Sequence, residues 1–158
     1  MDILSDALFA AIAAIGFAAI SRPPRRAYLY CAIVAAIGHS ARYILMNPEI
    51  CGMNIIGASS IAAFAVGIFA VLLSPVSKMP AETCFFPALL PMIPGMYAYR
   101  SFGALALCLL HPDEVSFGHY FYLFASNAFT CCFVILGMVI GATLPIFLLK
   151  KISFQATR

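Results

Sequence analysis

The run of residues 50–77 limits the fold of this chain more than any other feature, because it contains no charged side chain. About twenty consecutive apolar residues are enough to cross the hydrocarbon core of a bilayer as a helix. Only 9% of the 158 residues are charged and 64% are hydrophobic, whereas a soluble domain is about 25% charged. The sequence therefore predicts an integral membrane protein, with the lipid bilayer as its solvent.

Charged loops and prolines divide the chain into five predicted membrane spans. The sequence predicts one all-α transmembrane domain, residues 1–158, built as a bundle of about five helices. The spans run roughly over 4–20, 27–46, 54–74, 83–110 and 117–149, the last ended by Pro145 and then Lys150 and Lys151. The N-terminus begins with Asp2 and Asp6 where a signal peptide would carry positive charge, so the first span is predicted to be a retained helix.

The loop charges predict an orientation, because cytoplasmic loops of membrane proteins carry an excess of Lys and Arg. With the loop 21–26 in the cytoplasm, the basic residues on that side are Arg22, Arg25, Arg26, Lys78, Lys150, Lys151 and Arg158. The acidic residues on the other side are Asp2, Asp6, Glu49, Asp113 and Glu114. We therefore expect the N-terminus on the outer side of the membrane and the C-terminus in the cytoplasm.

The fourth span holds several helix breakers within one apolar stretch, 83-TCFFPALLPMIPGMYAYRSFGAL-105. The breakers are Pro87, Pro91, Pro94 and Gly95. Each proline would free the carbonyl four residues earlier, namely those of Thr83, Pro87 and Leu90. Irregular backbone at membrane depth is tolerated only against protein or a water-filled cavity. The stretch is predicted to be a broken helix and hinge of the kind that forms substrate sites in transporters; a kinked helix packed in the bundle is the alternative.

Two arginines, Arg42 and Arg100, are predicted to lie within spans that offer no Asp or Glu to pair with them. Arginine suits the geometry of a carboxylate, so both are predicted to bind a small carboxylate substrate. His39 shares a helix face with Arg42 and is predicted to tune or relay protons. The alternatives are an arginine that extends to the lipid headgroups and a neutral, hydrogen-bonded histidine.

Asn127 in the fifth span is a further predicted substrate contact, although amides inside spans also link helices to one another. The sequence shows no acid–nucleophile set, phosphate-binding loop or metal-ligand cluster, so we expect no enzyme, cofactor or metal site. The six cysteines lack metal-binding spacing and are predicted to be small buried side chains. A net charge of +3 without a basic stripe argues against nucleic acid as a partner.

Small residues recur at four-residue spacing in three spans, and such faces let helices approach closely. They are Ala10, Ala14 and Ala18, then Ala63 and Gly67, then Gly137 and Gly141. The faces fit either packing within one bundle or an interface with a partner, and the sequence leaves both open. It also leaves open whether copies of the chain assemble with one another.

Two stretches, 30-YCAIVAAIGHSARYIL-45 and 87-PALLPMIPGMYAYR-100, together with the five-span plan, resemble the short YjjB-like membrane subunit of the threonine/serine exporter family. The matching positions are Gly38, His39, Arg42, Pro91, Pro94, Gly95 and Tyr97. The resemblance implies the small subunit of a two-component exporter of threonine and serine or of succinate, working with a larger membrane subunit. It also implies a bacterial inner membrane, which makes the outer side of the predicted topology the periplasm. Tyr97 thereby joins the predicted substrate contacts. The alternative is a structural partner that stabilises the larger subunit without touching substrate.

Overall fold

The computed structural model of the chain describes residues 3–149, and these residues form helices and no strand. The helices are α1 (Ile3–Ile20), α2 (Ala27–Met46), α3 (Ile55–Ser77), α4 (Glu82–Leu89), α5 (Gly95–Leu110) and α6 (Glu114–Leu148), with a 3-10 turn at Leu90–Met92. Four of them (α1, α2, α3 and α6) are long and apolar enough to cross a membrane. A fifth span is present if α4, the 3-10 turn and α5 are counted together as one broken span. The prediction of an all-α membrane protein with its fourth span broken at the prolines is confirmed.

Two helices contain a proline near their C-terminal end. α3 contains Pro75, and α6, which has 35 residues and ends at Leu148, contains Pro145 and continues for three residues beyond it. A proline removes a single N–H, and the helix can continue where packing holds the remaining turns. The basic residues 150, 151 and 158, used above to predict orientation, lie outside the described residues, as does Asp2.

The chain divides into two compact units. The first contains α1 to α4, the 3-10 turn and the part of α6 from Gly137 onwards, and the second contains α5 and the part of α6 up to Leu136. In the first unit α2 packs against α1, α3 and α4. Helix α2 is therefore the element that brings side chains of the first unit together.

The small-residue faces are used for packing inside the first unit. The alanine face of α1 is buried, at Ala10, Ala14 and Ala18. A Cβ added to Gly67 of α3 would collide with the backbone of Ala142 in α6, and one added to Gly141 would collide with that of Ser60. The close approach of α3 and α6 therefore depends on glycine at these positions.

The second unit is a helical hairpin. Ser101 Oγ of α5 donates to the carbonyl of Phe124 in α6 at 3.3 Å, and Cys108 Sγ lies 4.0 Å from the carbonyl of Phe117. Asp113 starts α6, because its Oδ2 accepts the backbone N–H of Ser116 at 3.0 Å. Hydrogen bonds from Ser116 hold the pKa of this exposed carboxyl below its ordinary value.

Candidate functional site

The stretch 38-GHSAR-42 lies in the middle of α2, where α3 comes closest to it. A Cβ on Gly38 would collide with the side chain of Val66 in α3, so only glycine allows this approach. The next residue, His39, has a side chain that is only 8% exposed. Arg42 follows one turn later and is half-buried. The predicted pair of His39 and Arg42 therefore lies inside the first unit rather than on its outer surface.

His39 is bonded to an acid near the start of the first span, which the loop charges had assigned to the outer side of the membrane. Its Nδ1–H donates to Oδ2 of Asp6 in α1, with 3.2 Å between the two atoms. A carboxylate only accepts hydrogen bonds, so Nδ1 is the ring nitrogen that carries the proton. The expectation that no Asp or Glu accompanies Arg42 is therefore wrong. Asp6 lies four residues before Ala10, on the buried alanine face of α1 that packs against α2.

Arg42 is directed into the protein by the broken helix. Its Nη1 donates to the carbonyl oxygen of Met92 at 2.8 Å, and its Nη2 lies 3.5 Å from Nδ1 of His39. The Asp6 carboxylate also attracts the guanidinium. Met92 is fully buried and is the last residue of the 3-10 turn. Because the helix stops there, a side chain supplies the donor for the Met92 carbonyl.

The break itself lies after Met92. Pro94 has φ −78° and ψ 63°, which is not helical, and α5 starts at Gly95. The N–H of Gly95 donates to the carbonyl of Ile93 at 2.8 Å, a tight turn that separates the two helices. Of the four predicted hinge residues, Pro94 and Gly95 lie at the break and Pro91 lies in the 3-10 turn before it.

Pro87, the fourth predicted hinge residue, lies inside α4 and is buried. Its missing N–H frees the carbonyl of Thr83, as the sequence predicted. The buried Cys31 of α2 lies with its Sγ 3.5 Å from that oxygen and donates its thiol hydrogen to it. Two carbonyls of the proline segment, those of Thr83 and Met92, are thus satisfied by side chains of the same neighbouring helix.

Asp6 and Arg42 also line a pocket of about 380 Å³ where α1 begins and α2 ends. The full lining comprises Asp6, Arg42, Tyr43, Met46, Asn47 and Pro48. Small-molecule sites commonly have volumes of about 300–1,000 Å³, with a few polar groups that orient the ligand. The pocket offers a carboxylate, a guanidinium, a phenol and an amide to a ligand of a few heavy atoms.

The other predicted substrate contacts belong to the second unit. Tyr97 and Arg100 lie on α5, with Tyr97 half-buried and Arg100 exposed. Asn127 lies on α6, where its Nδ2 donates to the carbonyl of Leu123 in the same helix at 2.6 Å. The structure thus brings together His39 and Arg42 and adds Asp6 to them. Roles in substrate binding for all five predicted residues stay predictions.

No cluster of three His, Cys, Asp or Glu side chains that could hold a metal is found in residues 3–149. The chemistry of the site suits binding a small charged molecule in a site built from helices that cross a membrane.

Comparisons with known proteins cover nearly the whole chain. A family model described as "Threonine/Serine exporter, ThrE" matches residues 6–148. Over 145 residues the chain is 34% identical to an "uncharacterized protein" of Haemophilus influenzae, covering 92% of the chain and 47% of that relative. The chain thus spans about half the length of the curated relative. No solved structure matches the chain.

Proposed function

The chain belongs to the threonine/serine exporter family, and from this premise we propose that it is the small subunit of a two-component secondary exporter in a bacterial inner membrane. The proposed substrates are small carboxylate metabolites, either threonine and serine or succinate. A larger membrane subunit is the proposed partner. The length of the Haemophilus relative supports a second module, since this chain aligns with only 47% of it.

The observation that carries the proposal is the Arg42 guanidinium beside a pocket of about 380 Å³. A guanidinium has five N–H donors, and the bond to the Met92 carbonyl uses one of its nitrogens. The remaining donors suffice for a bidentate carboxylate. The side chain of Asn47 also lines the pocket; its Oδ1 accepts the backbone N–H of Glu49 at 3.0 Å, and its Nδ2 adds donors for the rest of the substrate.

The proposed orientation gives this pocket a place in export. Helix α1 begins and α2 ends next to it, and both of these ends are predicted to be periplasmic. A substrate held by Arg42 would then lie on the side towards which it is exported. The helix break next to Arg42 resembles the discontinuous helices that form ion and substrate sites in secondary transporters.

Efflux measurements test the proposal. Cells that express the chain with the larger subunit are loaded with labelled threonine, serine or succinate, and the rate of release is followed at equal membrane abundance. Arg42→Gln is expected to reduce export by about tenfold or more, the effect of losing one charge-assisted interaction. Arg25→Gln, in an exposed loop, is the matched control and should export normally. Full export by Arg42→Gln would remove the site from the proposal, and Arg100→Gln tests the second arginine in the same way.

The alternative, a structural partner without substrate contact, has less support. Its main argument was the small-residue faces, and those of α1, α3 and α6 are occupied by packing within this chain. Deleting the chain should lower the abundance of the larger subunit under either proposal. A variant without Arg42 that restores both abundance and export would favour the structural role.

A further inference from the structure

We propose that the face of α5 that carries Arg100 docks a membrane helix of the larger subunit, and that this helix holds an Asp or Glu near the middle of the bilayer. The inference rests on the proposed function, because it assumes a larger subunit in the same membrane. It assigns to Arg100 a carboxylate of a partner protein, whereas the sequence predicted a carboxylate of the substrate.

The first observation is the position of Arg100 along its helix. Arg100 is the charged residue of α5, and ten residues separate it from Leu110 at the C-terminal end. That separation is about 15 Å at 1.5 Å per residue, or half of a hydrocarbon layer about 30 Å thick. Towards the N-terminus the chain meets the helix break at Gly95 and not a charged loop. Arg100 is thus deep in the span, where an arginine normally faces protein or a water-filled cavity.

The second observation is that Arg100 has no partner in the part of the chain that the structure describes. Its side chain is exposed, and within residues 3–149 it has neither an ion pair nor a hydrogen bond. Arg42, by contrast, donates to the carbonyl of Met92. Because a charged group left in hydrocarbon without a partner is costly, another molecule must cover Arg100.

The third observation concerns which molecule can supply the opposite charge. The chain has six acidic residues, namely Asp2, Asp6, Glu49, Glu82, Asp113 and Glu114. Asp2 precedes α1 in the sequence, and the others lie in loops or in the first turn of a helix. A second copy of the chain therefore offers no carboxylate at the depth of Arg100. A helix of different sequence must supply it, and a carboxylate matches the parallel N–H donors of a guanidinium.

The face of α5 around Arg100 suits another helix. Met96, Arg100, Gly103 and Leu107 recur at the spacing of one helix face, and all four are exposed. The side of α5 that packs against α6 through Ser101 is a different one. A Cβ added to Gly103 would meet no atom within 4 Å, so packing within the chain does not require glycine there. A small residue on an exposed face lets a neighbouring helix approach closely.

The same face suits a protein better than a small molecule. Ligand sites are concave, and Arg100 is not among the residues that line the pocket of about 380 Å³. A docked helix can cover Arg100 and Gly103 together, whereas a small molecule on a convex helix face would stay in contact with lipid.

Co-purification tests the inference, with the tagged chain and the larger subunit expressed together and compared at equal membrane abundance of the chain. Arg100→Gln is expected to lower the amount of larger subunit recovered per chain by about tenfold or more, because the partner's acid loses a charge-assisted interaction. Arg25→Gln, in an exposed loop, is the matched control and should give the wild-type recovery. In the Arg100→Glu background, replacing one Asp or Glu within the spans of the larger subunit by Lys should restore recovery.

A second variant tests the face without changing its charge. Gly103→Leu adds a side chain to the open face and should also lower recovery by about tenfold. The chain purified alone should keep the wild-type Tm, because the new Cβ meets no neighbour. Gly118→Leu on α6, where an added Cβ likewise meets nothing, is the matched control and should leave recovery unchanged. Gly103→Leu decides the matter if Arg100→Gln does not accumulate.

Wild-type recovery in both Arg100→Gln and Gly103→Leu overturns the inference and leaves the proposed function standing. Normal recovery of the larger subunit with lost export in Arg100→Gln assigns Arg100 to the substrate and also overturns the inference. Self-association of the chain alone that Gly103→Leu abolishes overturns it in favour of a second copy. Absence of the larger subunit from the wild-type preparation overturns the proposed two-component arrangement as well.

Discussion

Replacing Arg42 with glutamine is expected to destabilise the protein, because the guanidinium is the donor for the carbonyl of buried Met92. A hydrogen bond to a charged group contributes about 1.5–3 kcal/mol, and Arg42 is half-buried, so we expect a loss of about 2 kcal/mol. For a chain of this length that corresponds to a fall in Tm of about 4–8 °C. Arg25→Gln, in an exposed loop, should change the free energy of unfolding by less than about 0.5 kcal/mol.

Thermal unfolding of the purified chain in detergent measures the effect, with a dye that reacts with thiols as they become exposed. The buried thiols of Cys31, Cys84 and Cys108 are suitable reporters.

The variant Pro94→Ala then isolates the contribution of the contact between Arg42 and the helix break. Without the proline ring, Ile93 is free to become helical and the N–H of Met96 can reach the Met92 carbonyl.

Arg42→Gln should therefore cost less in the Pro94→Ala background, with a coupling of about 1 kcal/mol in the double-mutant cycle. Equal costs in both backgrounds would show that Arg42 does not act through the helix break. A cost no greater than that of Arg25→Gln would refute the stabilising role altogether.

Three further predictions concern packing, orientation and acid stability. Gly67→Ala should lower the free energy of unfolding by about 1–3 kcal/mol, because a Cβ would meet the Ala142 backbone. Gly16→Ala, with open space around it, should instead stabilise the protein by about 0.5–1 kcal/mol. Equal changes in Tm for the two variants would contradict this account. A membrane-impermeant maleimide added to intact cells should label the exposed Cys51 and not a Cys51→Ser variant, whereas labelling confined to inverted vesicles would reverse the proposed orientation. Asp113→Ala should lower Tm at neutral pH. The difference in Tm from the wild-type chain should vanish as the pH falls through the lowered pKa of Asp113, because a carboxyl with a depressed pKa stabilises the fold only while ionised. A difference that persists in strong acid would point to lost packing instead.

The helices and the break could be predicted from the sequence because each depends on local chemistry. Charged loops separate apolar runs, and Pro94 followed by Gly95 interrupts the fourth span. Pro75 and Pro145 do not end their helices, because tertiary packing keeps α3 and α6 helical beyond them.

The partners of the site were harder to predict, because they come from different helices. The freed carbonyls were predicted by assuming a continuing helix, which holds for Thr83 in α4. The helical segment stops at Met92, however, and the carbonyl of that residue is free as well. The positive-inside rule assigned Asp6 to the outer side of the membrane and gave it no partner in another helix. Its four-residue spacing to the alanine face at Ala10, Ala14 and Ala18 was the signal that could have placed it against α2.

The length of α6 has a consequence for the surrounding lipid. Its 35 residues correspond to about 52 Å along the helix axis at 1.5 Å per residue, whereas the hydrocarbon layer is about 30 Å thick. The helix must therefore tilt, carry one end into the headgroup region or thicken the bilayer around it, and each of these adjustments costs free energy for every ångström of mismatch. Acyl-chain length thus becomes a variable to which this protein responds through a single helix.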